Sequence, residues 1–298
     1  MNTYLKGIVS AFAAQVLWGL FPIYWKFLAG VHSLEVLSQR NIWCAVFLGL
    51  LVLAVKSRRD IVWQVFKIKA ELLWHVFSAS LIAINWLVYI WAVNNNHVVD
   101  ASLGYFLSPL VSVVLGFVVF AERLSAVQWL AAALAAVGVL IMTVASGVFP
   151  WIGLTLAATF GIYGMARKKA TTGPINGLFV ETFLLLPPTL IALGWLSSQG
   201  YLIYEKPFEQ VELLLAFGGV ITAVPLVLYA QGARALPLNL SGLLVFITPT
   251  IQFLIGWLVY QEPIALSGWI GYACIWSALI IYCVVLVRRP QSQVRKAL

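Results

Sequence analysis

Long apolar runs separated by short polar breaks occupy nearly the whole chain. The runs fall at about 7–29, 34–55, 72–93, 99–120, 126–146, 150–166, 176–197, 212–232, 239–260 and 266–287. A helix that crosses a bilayer needs roughly 20 predominantly apolar residues. The runs are continuously apolar, whereas the strands of a membrane barrel alternate over about ten residues. The pattern therefore predicts ten spanning helices. Lys6 and the apolar residues after it have the order of a secretory leader. A leader's apolar core runs only about 7–15 residues, so the stretch is read as an uncleaved first span.

The pattern is also written twice. Shifted by 140 positions, Phe106, Pro109, Gly116, Glu122 and Trp129 meet Phe246, Pro249, Gly256, Glu262 and Trp269. Tyr89 and Ala92 meet Tyr229 and Gly232 at the same offset of 140, and Gly7, Ala11 and Gln15 meet Gly153, Ala157 and Gly161 at 146. The halves are residues 1–146 and 147–298, with five spans each. Five is odd, so the second half enters the membrane in the opposite sense. The expected fold is an all-α polytopic membrane protein of ten transmembrane helices in two inverted five-helix repeats, a construction common among secondary transporters. Small residues at four-residue spacing, Gly104, Ser108, Ser112 and Gly116, are read as a helix-packing stripe.

Composition settles the compartment. Of 298 residues 62% are hydrophobic and only 9% charged, against about 25% charged in soluble domains; no water-soluble surface can be built from this inventory. The net charge of +8 does not point to nucleic acid, because no basic helix carries interleaved exposed aromatics. It follows the rule that Lys and Arg collect in cytoplasmic loops. With both termini inside, fifteen of the 18 Lys and Arg residues lie on the cytoplasmic side; Lys26, Arg40 and Lys206 do not. The basic loop 56–69 and the tail after Arg288 also suit anionic lipid.

Catalytic signatures are lacking: there is no zinc-protease helix, nucleophile elbow, Walker loop or dinucleotide fingerprint. Cys44, Cys274 and Cys283 lie in apolar runs without metal spacing, and His32, His75 and His97 are scattered, so neither metal nor cofactor is expected. The candidates that remain are polar and aromatic groups inside apolar helices, which need an internal partner or water. Arg40, about two turns into the second run, either snorkels outward, pairs with Glu35, Asp100 or Glu262, or receives an anionic part of a solute. Glu181 is the carboxylate set well inside an apolar run; it either carries a coupling proton or pairs with Arg123, Arg167 or Arg234. The inverted geometry places it and Arg40 in opposite leaflets, against a direct pair. Asn85 and Tyr89 share a helix face. Gln15, Trp18 and Pro22, then Pro225, Tyr229 and Gln231, then Asn239, Phe246 and Gln252 extend the set. Pro109 and Pro249 each free a backbone carbonyl, at matched positions where a helix can bend or border a cavity.

These residues resemble the EamA transporters of the drug/metabolite transporter superfamily, most nearly the RarD branch. The likeness is carried by NWLVYIWAVN at 85–94, ASLGYFLSPL at 101–110, ERL at 122–124, ETFLLLP at 181–187, Trp18 and Gly19 with Pro22, and Arg40. It covers nearly the whole chain; the second copy departs at Glu262, Pro263 and Ile264, which lack the arginine. The resemblance implies a ten-helix carrier of the bacterial inner membrane with a central cavity between two halves, moving small metabolites, amino acids or drugs, often outward. The branch is labelled by chloramphenicol sensitivity, which names a phenotype and not a substrate.

The expected activity is alternating-access export of a small organic solute through a cavity lined by spans one, three, four, six, eight and nine. Trp18, Arg40, Asn85, Trp86, Tyr89, Tyr105, Tyr163, Tyr229 and Gln252 are the expected solute contacts. Glu181 is the expected coupling residue for protons, and Pro109 and Pro249 are the expected bending points. A passive channel and an intramembrane enzyme are the rival classes.

Overall fold

The computed structural model describes residues 3–120, 125–203, 210–236 and 244–288, and the described residues are helical throughout, without strands. In chain order the helices are α1 (Thr3–Gly19), α2 (Phe21–Lys26), α3 (Ser33–Leu53), α4 (Lys56–Lys67), α5 (Lys69–Asn94), α6 (Val98–Phe120) and α7 (Ala126–Ser146). Then follow α8 (Trp151–Lys169), α9 (Pro174–Leu184), α10 (Leu186–Ser198), α11 (Gln210–Ala235), α12 (Ile247–Leu254) with a π-helical turn at Ile255–Val259, and α13 (Leu266–Arg288).

Local chemistry sets the ends. Ser125 and Gln128 form a reciprocal capping box at the start of α7, and Gly147 ends that helix in the left-handed conformation at φ 65°, which glycine adopts without steric cost. His32 accepts the Leu34 amide to cap α3. Pro187 has no N–H to return to Phe183, so the run expected at 176–197 is broken into α9 and α10, bent by 42°. Pro109 lies inside α6, and the Tyr105 carbonyl four residues before it accepts the Ser108 hydroxyl instead, at 3.1 Å. Pro249 lies in the first turn of α12, so the matched prolines sit differently in their helices.

Among the described residues seven helical stretches are long and apolar enough to cross a membrane, or eight if α9 and α10 form one bent span. The expected number was ten. The difference lies in α8, which ends in Arg167, Lys168 and Lys169, and in Ile247–Val259, which is short. The first residues of the run expected at 239–260 lie outside the described residues. Large apolar side chains such as Leu50, Leu53, Leu140, Val144, Ile191 and Leu266 face outward, the surface a lipid solvent requires and water does not tolerate in such quantity.

Helices α5 and α6 both pack on α8, α1 packs on α11 and α12, and α3 packs on α9, α10 and α11. At the edge α7 packs on α13. That crossing is tight because both helices offer glycine: a Cβ on Gly138 would stand 2.7 Å from the Gly271 carbonyl. The small residue Gly104 likewise lets α6 meet Gly153 and Leu156 of α8. The arrangement leaves a space among α1, α5, α6, α8, α11 and α12.

Candidate functional site

That space is a cavity of about 520 Å³, within the range of small-molecule sites. Trp18, Arg40, Asn85, Trp86, Tyr89, Tyr105, Tyr163, Tyr229 and Gln252 all border it, as does Pro249. Pro109 does not, and Glu181 stands one residue behind the wall. Beyond the spans expected from sequence, α3 contributes Arg40 and α9 contributes Pro174 and Leu178. Asn239 and Glu122 lie outside the described residues.

Helix periodicity brings Asn85 and Tyr89 to one wall, where each ties its helix to others. The Asn85 amide donates to the Leu156 carbonyl at 3.1 Å and the Thr159 hydroxyl at 2.9 Å, and its oxygen accepts from Tyr105 at 3.2 Å. The Gln252 amide donates to the Tyr89 hydroxyl at 3.0 Å and the Trp18 carbonyl at 3.2 Å. Its own oxygen, buried, has no partner. Tyr89 meets Tyr105 edge-to-face at 5.6 Å, and Trp18 meets Tyr229 at 5.6 Å. Buried amides need partners, so these bonds hold an aromatic wall in place across α1, α5, α6, α8 and α12.

Arg40 is 4% exposed and takes none of the three carboxylates considered for it. Glu35 accepts the Ile203 amide, Glu262 accepts the Val98 and Val99 amides at 2.7 Å each, and Asp100 meets His97. The guanidinium instead donates from Nε to Thr222 at 2.9 Å. It lies 4.0 Å from the Trp86 ring centre and 5.1 Å from that of Trp25. Cation–π attraction offsets part of the desolvation, but Nη1 is buried without a partner among the described residues.

Glu181, fully buried, is the centre of a separate cluster. It accepts from Ser78 at 2.6 Å, Tyr163 at 3.0 Å and Arg167 at 3.3 Å, with His75 Nδ1 at 3.7 Å. Arg167 is further tied to the Thr172 and Gly173 carbonyls, and His75 to the Thr172 hydroxyl at 3.0 Å. Arg167, one of the three arginines open to Glu181 from sequence, is a partner; Arg123 and the Arg234 side chain lie outside the described residues. His75, Ser78 and Thr172 were not singled out. The signal for the first two was their spacing: they continue the buried stripe of Ile82, Asn85 and Tyr89 down α5.

A further set of polar contacts joins α2 to α5 and to Tyr260. Lys26 donates to Asn96 at 2.5 Å and to the Val93 carbonyl at 3.3 Å, and lies over the Tyr260 ring. Tyr260 in turn donates to the Pro22 carbonyl at 3.2 Å, and Tyr24 to the Leu214 carbonyl.

Comparison with known proteins agrees with this arrangement. The profile of the EamA-like transporter family matches residues 5–144. The uncharacterized transporter YojE of Bacillus subtilis is 40% identical over 282 residues, 93% of each chain. The chain belongs to the EamA-like transporter family. Within that family, protein RarD of Streptomyces exfoliatus is 38% identical over 280 residues, 94% of this chain and 89% of that one. Protein RarD of Escherichia coli is 36% identical over 281 residues, 93% of each. A solved crystal structure at 16% identity superposes with a TM-score of 0.60 over 95% of this chain and 99% of its own, a likeness of fold. This EamA-like chain is thus a multi-pass bacterial membrane protein of transporter type, and its relatives bear transporter names, not enzyme names. Among the described residues no group of His, Cys, Asp and Glu could hold a metal ion.

Proposed function

We propose that the protein exports a small organic solute across the bacterial inner membrane by alternating access. Residues 1–146 and 147–298, as two five-helix halves of opposite orientation, would rock about the cavity. The observation that carries this reading is the convergence of side chains from both halves on one solute-sized cavity: Arg40, Asn85 and Tyr105 from the first, Tyr163, Tyr229 and Gln252 from the second.

Helix pairing supports the inverted halves. Exchanging first-half helices for their second-half counterparts turns the α1–α11 contact into α5–α8, α1–α12 into α6–α8, and α3–α11 into α5–α9. All of these contacts exist, and α7–α13, α6–α12 and α3–α9 map onto themselves. Such exchange follows from a two-fold axis of either direction between the halves; the odd number of spans expected in each half is what sets it in the membrane plane. The basic residues support cytoplasmic termini. The cavity then reaches toward the cytoplasm at Arg167, Thr172 and Pro174, while Lys26, Tyr260 and Asn96 close the other side. A cavity loaded from the cytoplasm suits export.

The test is transport by reconstituted protein from a broad metabolite panel, with and without a proton gradient. Saturable movement of one solute class is the expected result. Conductance steps in electrical recording, without saturable transport, would replace a carrier with a channel.

A further inference from the structure

The cavity wall carries two cations and, among the described residues, no carboxylate. The cations are not equivalent. Arg167 is matched by Glu181 at 3.3 Å and by two carbonyls. Arg40 has one hydroxyl, aromatic faces and a buried Nη1 without a partner among the described residues. The nearby acids cannot answer it or an incoming amine: Glu181 is held by Ser78, Tyr163 and Arg167, Glu35 by a backbone amide, and Glu262 by two. Gln252 borders the same cavity, and its buried oxygen has no partner among the described residues. A buried donor and a buried acceptor left open each favour a ligand group that completes them.

Resting on the transport reading above, we infer that the solute is an amphipathic organic anion. A carboxylate meets the Arg40 guanidinium, a neutral hydroxyl or amide N–H donates to Gln252, and an aromatic or apolar body lies against Trp86, Tyr105 and Tyr229. A free ammonium finds no open carboxylate, so an amine is excluded and a zwitterion is disfavoured. An unpaired buried cation prefers one negative charge, because a second would be desolvated without a match.

The test uses four probes on one frame: L-3-phenyllactate, its amide, L-phenylalanine and L-phenylalaninamide. Binding to the purified full-length protein is followed by thermal stabilisation and calorimetry. Phenyllactate is expected to bind at least about tenfold tighter than the other three, and Arg40→Gln to remove that preference. The selectivity is read on the unaltered protein, so it stands as a test even if Arg40→Gln does not fold. A second variant, Gln252→Leu, is expected to weaken phenyllactate and to leave 3-phenylpropionate, which lacks the hydroxyl, unchanged. Equal or tighter binding of phenylalanine or phenylalaninamide overturns the inference, as does absence of binding by all four. Transport of some other solute from the metabolite panel then leaves the carrier reading intact. Phenyllactate binding by a protein that moves nothing keeps the site and removes the carrier.

Discussion

Arg40 and Glu181 were both visible as charges inside apolar runs, and their environments separate them. Glu181 has four polar neighbours; Arg40 has an open Nη1. That Arg167 meets Glu181 depended on how α8 and α9 pack against α5, which a one-dimensional pattern does not carry. Removing Glu181 leaves Arg167 without its counter-ion. Breaking a buried pair costs about 3–5 kcal/mol; with Arg167 15% exposed, solvent screening brings the expected loss for Glu181→Ala to about 2 kcal/mol, read by thermal unfolding in detergent. Function needs the gentler Glu181→Gln: if Glu181 carries the coupling proton, the pH dependence of transport disappears, and an unchanged pH profile assigns the residue to structure. At Tyr89, Tyr89→Phe is expected to cost about 1 kcal/mol by freeing the Gln252 amide, with a Gln252→Leu double-mutant cycle showing coupling between the two.

Between elements, helix termini and glycine crossings set the geometry. The last residues before α13 reach across to α6, where Glu262 accepts two amides at 2.7 Å. A carboxylate at a helix N-terminus satisfies orphan donors and complements the dipole. Glu262→Ala is expected to lower stability by about 1–2 kcal/mol, while Glu262→Gln, which keeps one acceptor, recovers part of it. The repeat marked Glu262 through its match to Glu122, yet nothing in the pattern said that it caps α6. The capped helix is 164 positions away from it. At the α7–α13 edge, Gly138→Ala pushes a methyl to 2.7 Å from a backbone carbonyl. The two helices must separate, at an expected cost of about 1–3 kcal/mol in the unfolding midpoint.

For the whole molecule, Lys26 gains a reason for its position against the charge bias. It bonds Asn96 and the Val93 carbonyl beside Tyr260, contacts that the proposed alternating access takes as a latch at the outer end. If the halves rock, this latch must open. With Cys44, Cys274 and Cys283 replaced, a cysteine at Thr248 is expected to react with an impermeant reagent from the cytoplasmic side. Reaction from the opposite side is expected to rise several-fold in Lys26→Ala. Equal labelling from both sides without the latch mutation would contradict a closed outer end.

Apolar run length and the low charge content of the sequence determined that the chain is a helical membrane protein, since only helices or closed barrels satisfy the backbone in lipid. The face shared by Asn85 and Tyr89 was legible too, because periodicity along α5 is a local property. Tertiary structure decided which charges are matched and which helices break. Those outcomes depend on pairs such as Glu181 with Arg167, Glu262 with Val98 and Lys26 with Asn96. Such contacts arise only when helices distant in the chain pack side by side, and an electrostatic partner is chosen by distance in space.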